Sequence, residues 1–306
     1  MKLTDKQSDQ VIAIWNTYVE SGAKYVYPAT GYSHMVLDQH RLEVIPEVKK
    51  HIDKFINGSS TVEELRVHID EINKKNLLWG FQGLNGQTFF NAIAKSSLET
   101  NLQNELTNLF KETLPTPVNT DFAVNNIRTF SKFVLTLAKG ASDLLNVPRS
   151  GAIPYFLSYF WQIQKPEGWP IYYTSMVGEL NEKGIWSPAG DIALNYGEFC
   201  ELNFDLLDLI DIRANRKIKL WDLEHAFYHS AILRDSQAVR EPPAPAEVPV
   251  EKPVVAAPSH NLREDTPTVR MPRKSGQTTH TEKKTGHAPR TEASSMATPS
   301  RTSWLI

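Results

Sequence analysis

Ile153-Pro154-Tyr155-Phe156-Leu157-Ser158-Tyr159-Phe160-Trp161-Gln162-Ile163 is apolar on nearly every side. Wound into a helix, this run has no polar stripe to offer water, so it belongs at the centre of a larger body. Helical stripes surround it in the sequence. Ala123, Ile127, Phe130, Val134, Leu137 and Ala141 recur every three or four residues before Gly140 and Pro148 end the pattern. Val11, Ile12, Trp15, Tyr18 and Val19 follow Ser8 as an N-cap, and Ser60 with Glu63 makes a capping box ahead of Val62, Leu65, Ile69 and Ile72. Leu98, Leu102, Leu106 and Leu109 form a further stripe, and helices are expected over 171–182, 191–211 and 219–233. Pro115-Thr116-Pro117 and the segment from Gly184 to Gly190 read as loops. Only Tyr25 to Pro28 and Arg41 to Ile45 suggest short strands, too little for a sheet-based domain. The expected fold class is all-α, without a solenoid-length repeat.

The composition changes near Ser236. Of 7 Trp, 10 Tyr and 13 Phe, only Trp304 lies beyond it, while residues 237–306 hold ten of the 19 prolines and many Ser, Thr, Lys, Arg and Gly. Such a segment buries too little apolar surface to offset about 1–2 kcal/mol per residue of backbone ordering entropy. The expectation is a helical domain over 1–236 and a disordered tail over 237–306.

Lys and Arg total 33 against 35 Asp and Glu, a net charge of -2 that excludes a histone-like cationic binder and a strongly acidic solvating chain. The tail's ten basic and seven acidic residues make it mildly cationic, so a charged partner must be met by a local patch. The single cysteine, Cys200, rules out an intrachain disulfide framework and suits a reducing compartment. Its neighbours Phe199, Leu202, Leu206 and Leu209 indicate a buried, inert thiol. The start of the chain is charged, and no run approaches the roughly 18 apolar residues of a spanning helix. A soluble, cytoplasmic protein without membrane partners is expected.

Four patches carry candidate chemistry. Arg213, Arg216, Lys217 and Lys219 place four cations in seven residues between two expected helices, where they could hold phosphates or merely form a solvated loop. Trp169, Tyr172 and Tyr173 follow a proline-bounded turn and could stack on bases, although the aromatic run before them offers obvious packing neighbours. Gly80, Gly83 and Gly86 precede a helix beginning near Gln87, a context for phosphate binding by backbone amides; the commoner use is a tight turn between helices. The Lys-Ser/Thr pair of a P-loop is missing. His225 and His229 share one helix face near Asp222 and Glu224, but Ala226 stands where a zincin has its glutamate, and spacing identifies no third ligand. No metal site or cofactor is therefore assigned, and no nucleophile elbow or kinase signature occurs.

Three stretches, Leu77-Leu78-Trp79-Gly80-Phe81-Gln82-Gly83-Leu84-Asn85-Gly86-Gln87-Thr88-Phe89-Phe90, Trp161-Gln162-Ile163-Gln164-Lys165-Pro166-Glu167-Gly168-Trp169-Pro170-Ile171-Tyr172-Tyr173 and Leu220-Trp221-Asp222-Leu223-Glu224-His225-Ala226-Phe227, together resemble the helical modules found ahead of the motor in bacterial restriction-type, modification-dependent AAA+ proteins. The likeness spans residues 60–235. In that family an NTPase or nuclease domain follows; here the proline-rich tail takes that position. The resemblance implies a target-recognition or adaptor module in defence against foreign DNA, working with a separately encoded NTPase or nuclease. The expected function is a non-enzymatic nucleic-acid-associated module contacting phosphate through Arg213, Arg216, Lys217 and Lys219. The alternatives are a protein-protein scaffold whose tail carries linear motifs, including Trp304-Leu305-Ile306, and a metal-dependent hydrolase using His225 and His229.

Overall fold

The described residues form ten α-helices: α1 (Asp5–Glu20), α2 (His34–Ile56), α3 (Val62–Asn76), α4 (Gln87–Glu99), α5 (Gln103–Thr113), α6 (Thr120–Gly140), α7 (Ile153–Gln164), α8 (Thr174–Glu182), α9 (Ile192–Ala214) and α10 (Leu220–Arg240). The computed structural model describes residues 3–27, 30–140 and 147–240, with side chains as far as Ser236. The tail expectation thus lies almost wholly outside the described residues, as do Pro28 and Ala141. No described helix is long and apolar enough to cross a membrane.

Two helix starts are fixed by reciprocal caps, one four residues before and the other one residue after the position that the sequence suggests. Thr4 caps α1 with Gln7, and Thr61 caps α3 with Glu64; in both, side chain and backbone exchange hydrogen bonds. Ser8 instead faces the interior of α1. The leucine stripe from Leu98 to Leu109 is two helices, because the chain turns at Asn101 (φ 58°) and leaves Leu98 exposed. Arg41–Ile45 is not a strand but part of α2. Leu37, Arg41, Ile45, Val48, Ile52 and Phe55 are buried at helical spacing over 23 residues, a longer period that overrides the local β-branched pair. Of the other expected strand, a single bridge between Val26 and Ser33 remains.

α7 is buried from Ile153 to Ile163, as its all-round apolarity requires. Its aromatic rings organise the neighbouring helices: Phe156 lies 5.3 Å from Phe90 on α4, 5.9 Å from Phe110 on α5 and 5.9 Å from Phe130 on α6. The polar tips of the large rings are also satisfied. Trp161 Nε1 donates to the Thr113 carbonyl at 2.9 Å, and the Tyr155 hydroxyl donates to the Trp79 carbonyl at 2.8 Å. α9 packs on α6, while α10 lies against α1 and α8. That second packing brings the chain's last described helix back to its first.

Truncating the central ring tests this arrangement. Phe156→Ala should cost about 3–5 kcal/mol in denaturant unfolding. Phe122→Ala, on the exposed side of α6, should stay within about 0.5 kcal/mol of the parent.

Candidate functional site

The site is built where the first turns of α2 meet the first turns of α10. His34, Asp38 and Arg41 fall on one face of α2, and Glu224, His225 and Tyr228 come from α10. Between α1 and α2 the chain makes a 3-10 turn at Gly22–Lys24 and then supplies Tyr25 and Tyr27. Gly22 is required there, since a Cβ would lie 2.5 Å from the Tyr18 ring and 2.8 Å from His229 Nδ1.

Arg41 is the centre. Its side chain is 2 % exposed, and its guanidinium sits 5.4 Å from the Trp221 ring and 6.0 Å from that of Trp79. Nε donates to the Leu78 carbonyl at 3.0 Å and Nη2 to Glu224 at 2.7 Å. Nη1 meets Asp38 at 3.5 Å and makes no hydrogen bond among the described residues. Burial opposes its charge, but Glu224, Tyr173 and Asp38 outweigh that, so Arg41 stays cationic. The Leu78 carbonyl is delivered by Leu77, which ends α3 in the left-handed region at φ 53°, a conformation costing an L-residue about 1–2 kcal/mol.

A hydrogen-bonded relay runs behind Arg41. His225 Nε2 lies 2.9 Å from Asp38 Oδ1, and its Nδ1 lies 2.6 Å from the Tyr27 hydroxyl. Assigning the proton to Nε2 makes the imidazole donate to Asp38 and accept from Tyr27, satisfying every group. Burial lowers His225 to about 4 and raises Asp38 to about 6, the latter opposed by Arg41. His34 stacks on His225 at 4.3 Å, bonds the Tyr18 hydroxyl at 2.7 Å through Nδ1, and is held neutral by burial and its histidine neighbours, down to about 3.

In front of Arg41 lies a pocket of about 210 Å³, lined by Tyr27, Trp79, Tyr173, Glu224 and Tyr228 among others. Tyr27 and Tyr228 stack nearly parallel at 4.9 Å. Three lining side chains carry a buried donor with no hydrogen-bond partner among the described residues: Arg41 Nη1, Trp79 Nε1 and the Tyr173 hydroxyl. Native proteins leave few such groups unpaired.

Of the residues expected from sequence, His225 stands in the relay and two more reach the pocket; the others line neither. Tyr173 and Gly80 line this pocket. Trp169 is 5 % exposed and packs on Trp161, so it belongs to the core and presents no stacking face. Tyr172 is half-buried against Tyr196 and Phe199. The glycine turn spends its amides on itself: those of Gly83 and Gly86 donate to the carbonyls of Gly80 and Gly83, and those of Gln87 and Thr88 to Phe81 and Gly83. Phosphate would find those four amides occupied. Gly86 is glycine because a Cβ would sit 2.1 Å from the Phe81 carbonyl oxygen.

Arg213, Arg216, Lys217 and Lys219 are exposed around the α9–α10 turn, but Arg213 meets Asp9 at 3.8 Å and Lys219 meets Glu167 at 3.2 Å. Both nitrogens of His225 are engaged, and no group of three potential metal ligands occurs among the described residues, so the hydrolase alternative lacks a ligand set. Cys200 is buried, which pushes its thiol up to about 12. Sequence reasoning missed Tyr27, His34, Asp38 and Arg41; their signal is the i, i+4, i+7 spacing of the last three, visible once residues 34–45 are read as helix.

Two measurements test the relay. Tyr27→Phe leaves His225 Nδ1 without its donor and should cost about 1–3 kcal/mol of stability. Between pH about 4 and 6.5, unfolded His34 and His225 bind protons that the native state refuses, while Asp38 acts oppositely because native Asp38 keeps its proton up to about 6. Two histidines outweigh one carboxyl. Urea midpoints should therefore rise across this window and level off above it; a falling profile would show that the histidines are not held neutral.

Comparison with protein-family models, curated proteins and solved structures finds no match to this chain.

Proposed function

We propose that the helical body is a recognition module that seats a compact ligand in the pocket beside Arg41, with a hydrogen-bond acceptor of the ligand meeting the unpaired donors. The observation that carries this is the coincidence, among the residues lining one aromatic pocket, of three buried donors with no hydrogen-bond partner among the described residues. A donor buried without an acceptor costs about 1–3 kcal/mol, and a ligand that supplies the acceptor recovers it. The aromatic walls add apolar area and stacking faces.

A second reading keeps the nucleic-acid surface of the α9–α10 turn. Arg216 and Lys217 are exposed and form no ion pair among the described residues, so two of the four cations are available to phosphate. In this reading the module docks on nucleic acid through the turn, and an adaptor role beside a separately encoded NTPase or nuclease follows from the family resemblance. Cytoplasmic placement belongs to the same proposal.

Met176 lines the pocket, so its methyl resonance reports occupancy in a methyl-labelled sample screened against polar aromatic fragments. Saturable shifts of Met176 are expected. Tyr173→Phe should weaken them while leaving thermal stability equal or higher, because it removes a hydroxyl that has no partner. Shifts unaffected by Tyr173→Phe and by Trp79→Phe would reject the donor-lined pocket. For the second reading, Arg216→Ala with Lys217→Ala should reduce the slope of log affinity for duplex DNA against log salt by about 2; no binding to DNA at low salt would reject it.

A further inference from the structure

The charge balance around Arg41 narrows what the pocket can take. Three donors, Arg41 Nη1, Trp79 Nε1 and the Tyr173 hydroxyl, require an acceptor, which disfavours a ligand whose polar end only donates. Yet the guanidinium is already matched by Glu224 at 2.7 Å and faced by Asp38 at 3.5 Å. A carboxylate or phosphate would bring a third negative charge against one positive charge in a pocket with mostly apolar walls, where screening is weak. A cation would suit the two carboxylates but brings no acceptor for the three donors, one of which belongs to the buried guanidinium in the same wall. Glu224 also lines the pocket, so an acceptor stands beside the donors. Tyr173 is near enough to both Arg41 and Glu224 for their charges to bear on its hydroxyl. Donors and an acceptor thus line the same pocket as the rings of Tyr27 and Tyr228, which stack on each other.

Resting on the pocket reading above, we infer that the ligand is a neutral, planar group carrying a carbonyl next to an N–H, an aromatic amide or lactam. The carbonyl accepts from Arg41, Trp79 or Tyr173, the N–H donates to Glu224, and the ring stacks on tyrosine. An anion is discriminated against by the charges of Glu224 and Asp38, and a cation by the donors that it cannot satisfy, not by shape.

Three probes of nearly the same shape separate the possibilities: benzamide, benzoate and benzamidinium, titrated into the full chain with the Met176 methyl resonance as readout. Benzamide should bind saturably, and the two charged probes should bind about tenfold or more weakly, a difference of one well-formed polar contact. Glu224→Gln keeps the shape and a hydrogen bond to Arg41 but removes one negative charge, so it should narrow the gap between benzoate and benzamide. Tyr173→Phe, which removes no native partner, should weaken benzamide severalfold and serves if Glu224→Gln does not fold. Benzoate or benzamidinium binding as tightly as benzamide would overturn the neutral class and leave the pocket reading standing. If none of the three moves Met176, the amide class falls, and the fragment screen then decides the pocket on its own.

Discussion

A guanidinium held away from water is the constraint on which the rest of this structure depends. Arg41 joins parts of the chain that are remote in sequence: α2 through its own backbone, the turn after α3 through the Leu78 carbonyl, and α10 through Glu224. Each element must be in place for the charge to be tolerated, because a buried charge with one partner missing costs about 3–5 kcal/mol. The two tryptophans flanking it come from the same two partners, Trp79 from the turn and Trp221 from α10. Docking of α10 is therefore a polar as well as an apolar event. Further along that helix Arg234 reaches the fully buried Glu179 of α8 at 2.7 Å.

Such an arrangement is a weak source of stability, since apolar residues of equal volume commonly pack as well or better. On the proposed reading, its presence is accounted for by what it offers the pocket. The relay from Tyr27 through His225 to Asp38 fixes one carboxylate beside Nη1 without giving it a hydrogen bond. The positive group is thus faced by two carboxylates while Nη1 forms no hydrogen bond among the described residues. By contrast, the cations of the α9–α10 turn lie in water and are half neutralised by Asp9 and Glu167, so any binding there is sensitive to salt.

The fold was largely legible because helical patterning is a local signal: α6 follows from apolar residues spaced three and four apart, and α7 from a run that is apolar on nearly every side. The misreadings were local too. Five residues of α2 with adjacent Val44 and Ile45 resemble a strand until the window extends to Phe55, and the leucines around Asn101 hide a break that one left-handed residue makes. The site was harder to see. Arg41 and Glu224 are separated by 183 positions, and nothing near either announces the other. Still, the three stretches singled out for their aromatic and glycine patterns each contribute to the surroundings of Arg41, through Trp79, Tyr173 and Trp221.

Cys200, enclosed between α9 and its neighbours, gives the molecule an internal clock. As the chain's single thiol, and one kept protonated by its surroundings, it meets an alkylating reagent only when the helices part. The pace of its modification then measures how often the interior breathes open, one residue standing sentinel for the cooperative life of the whole bundle.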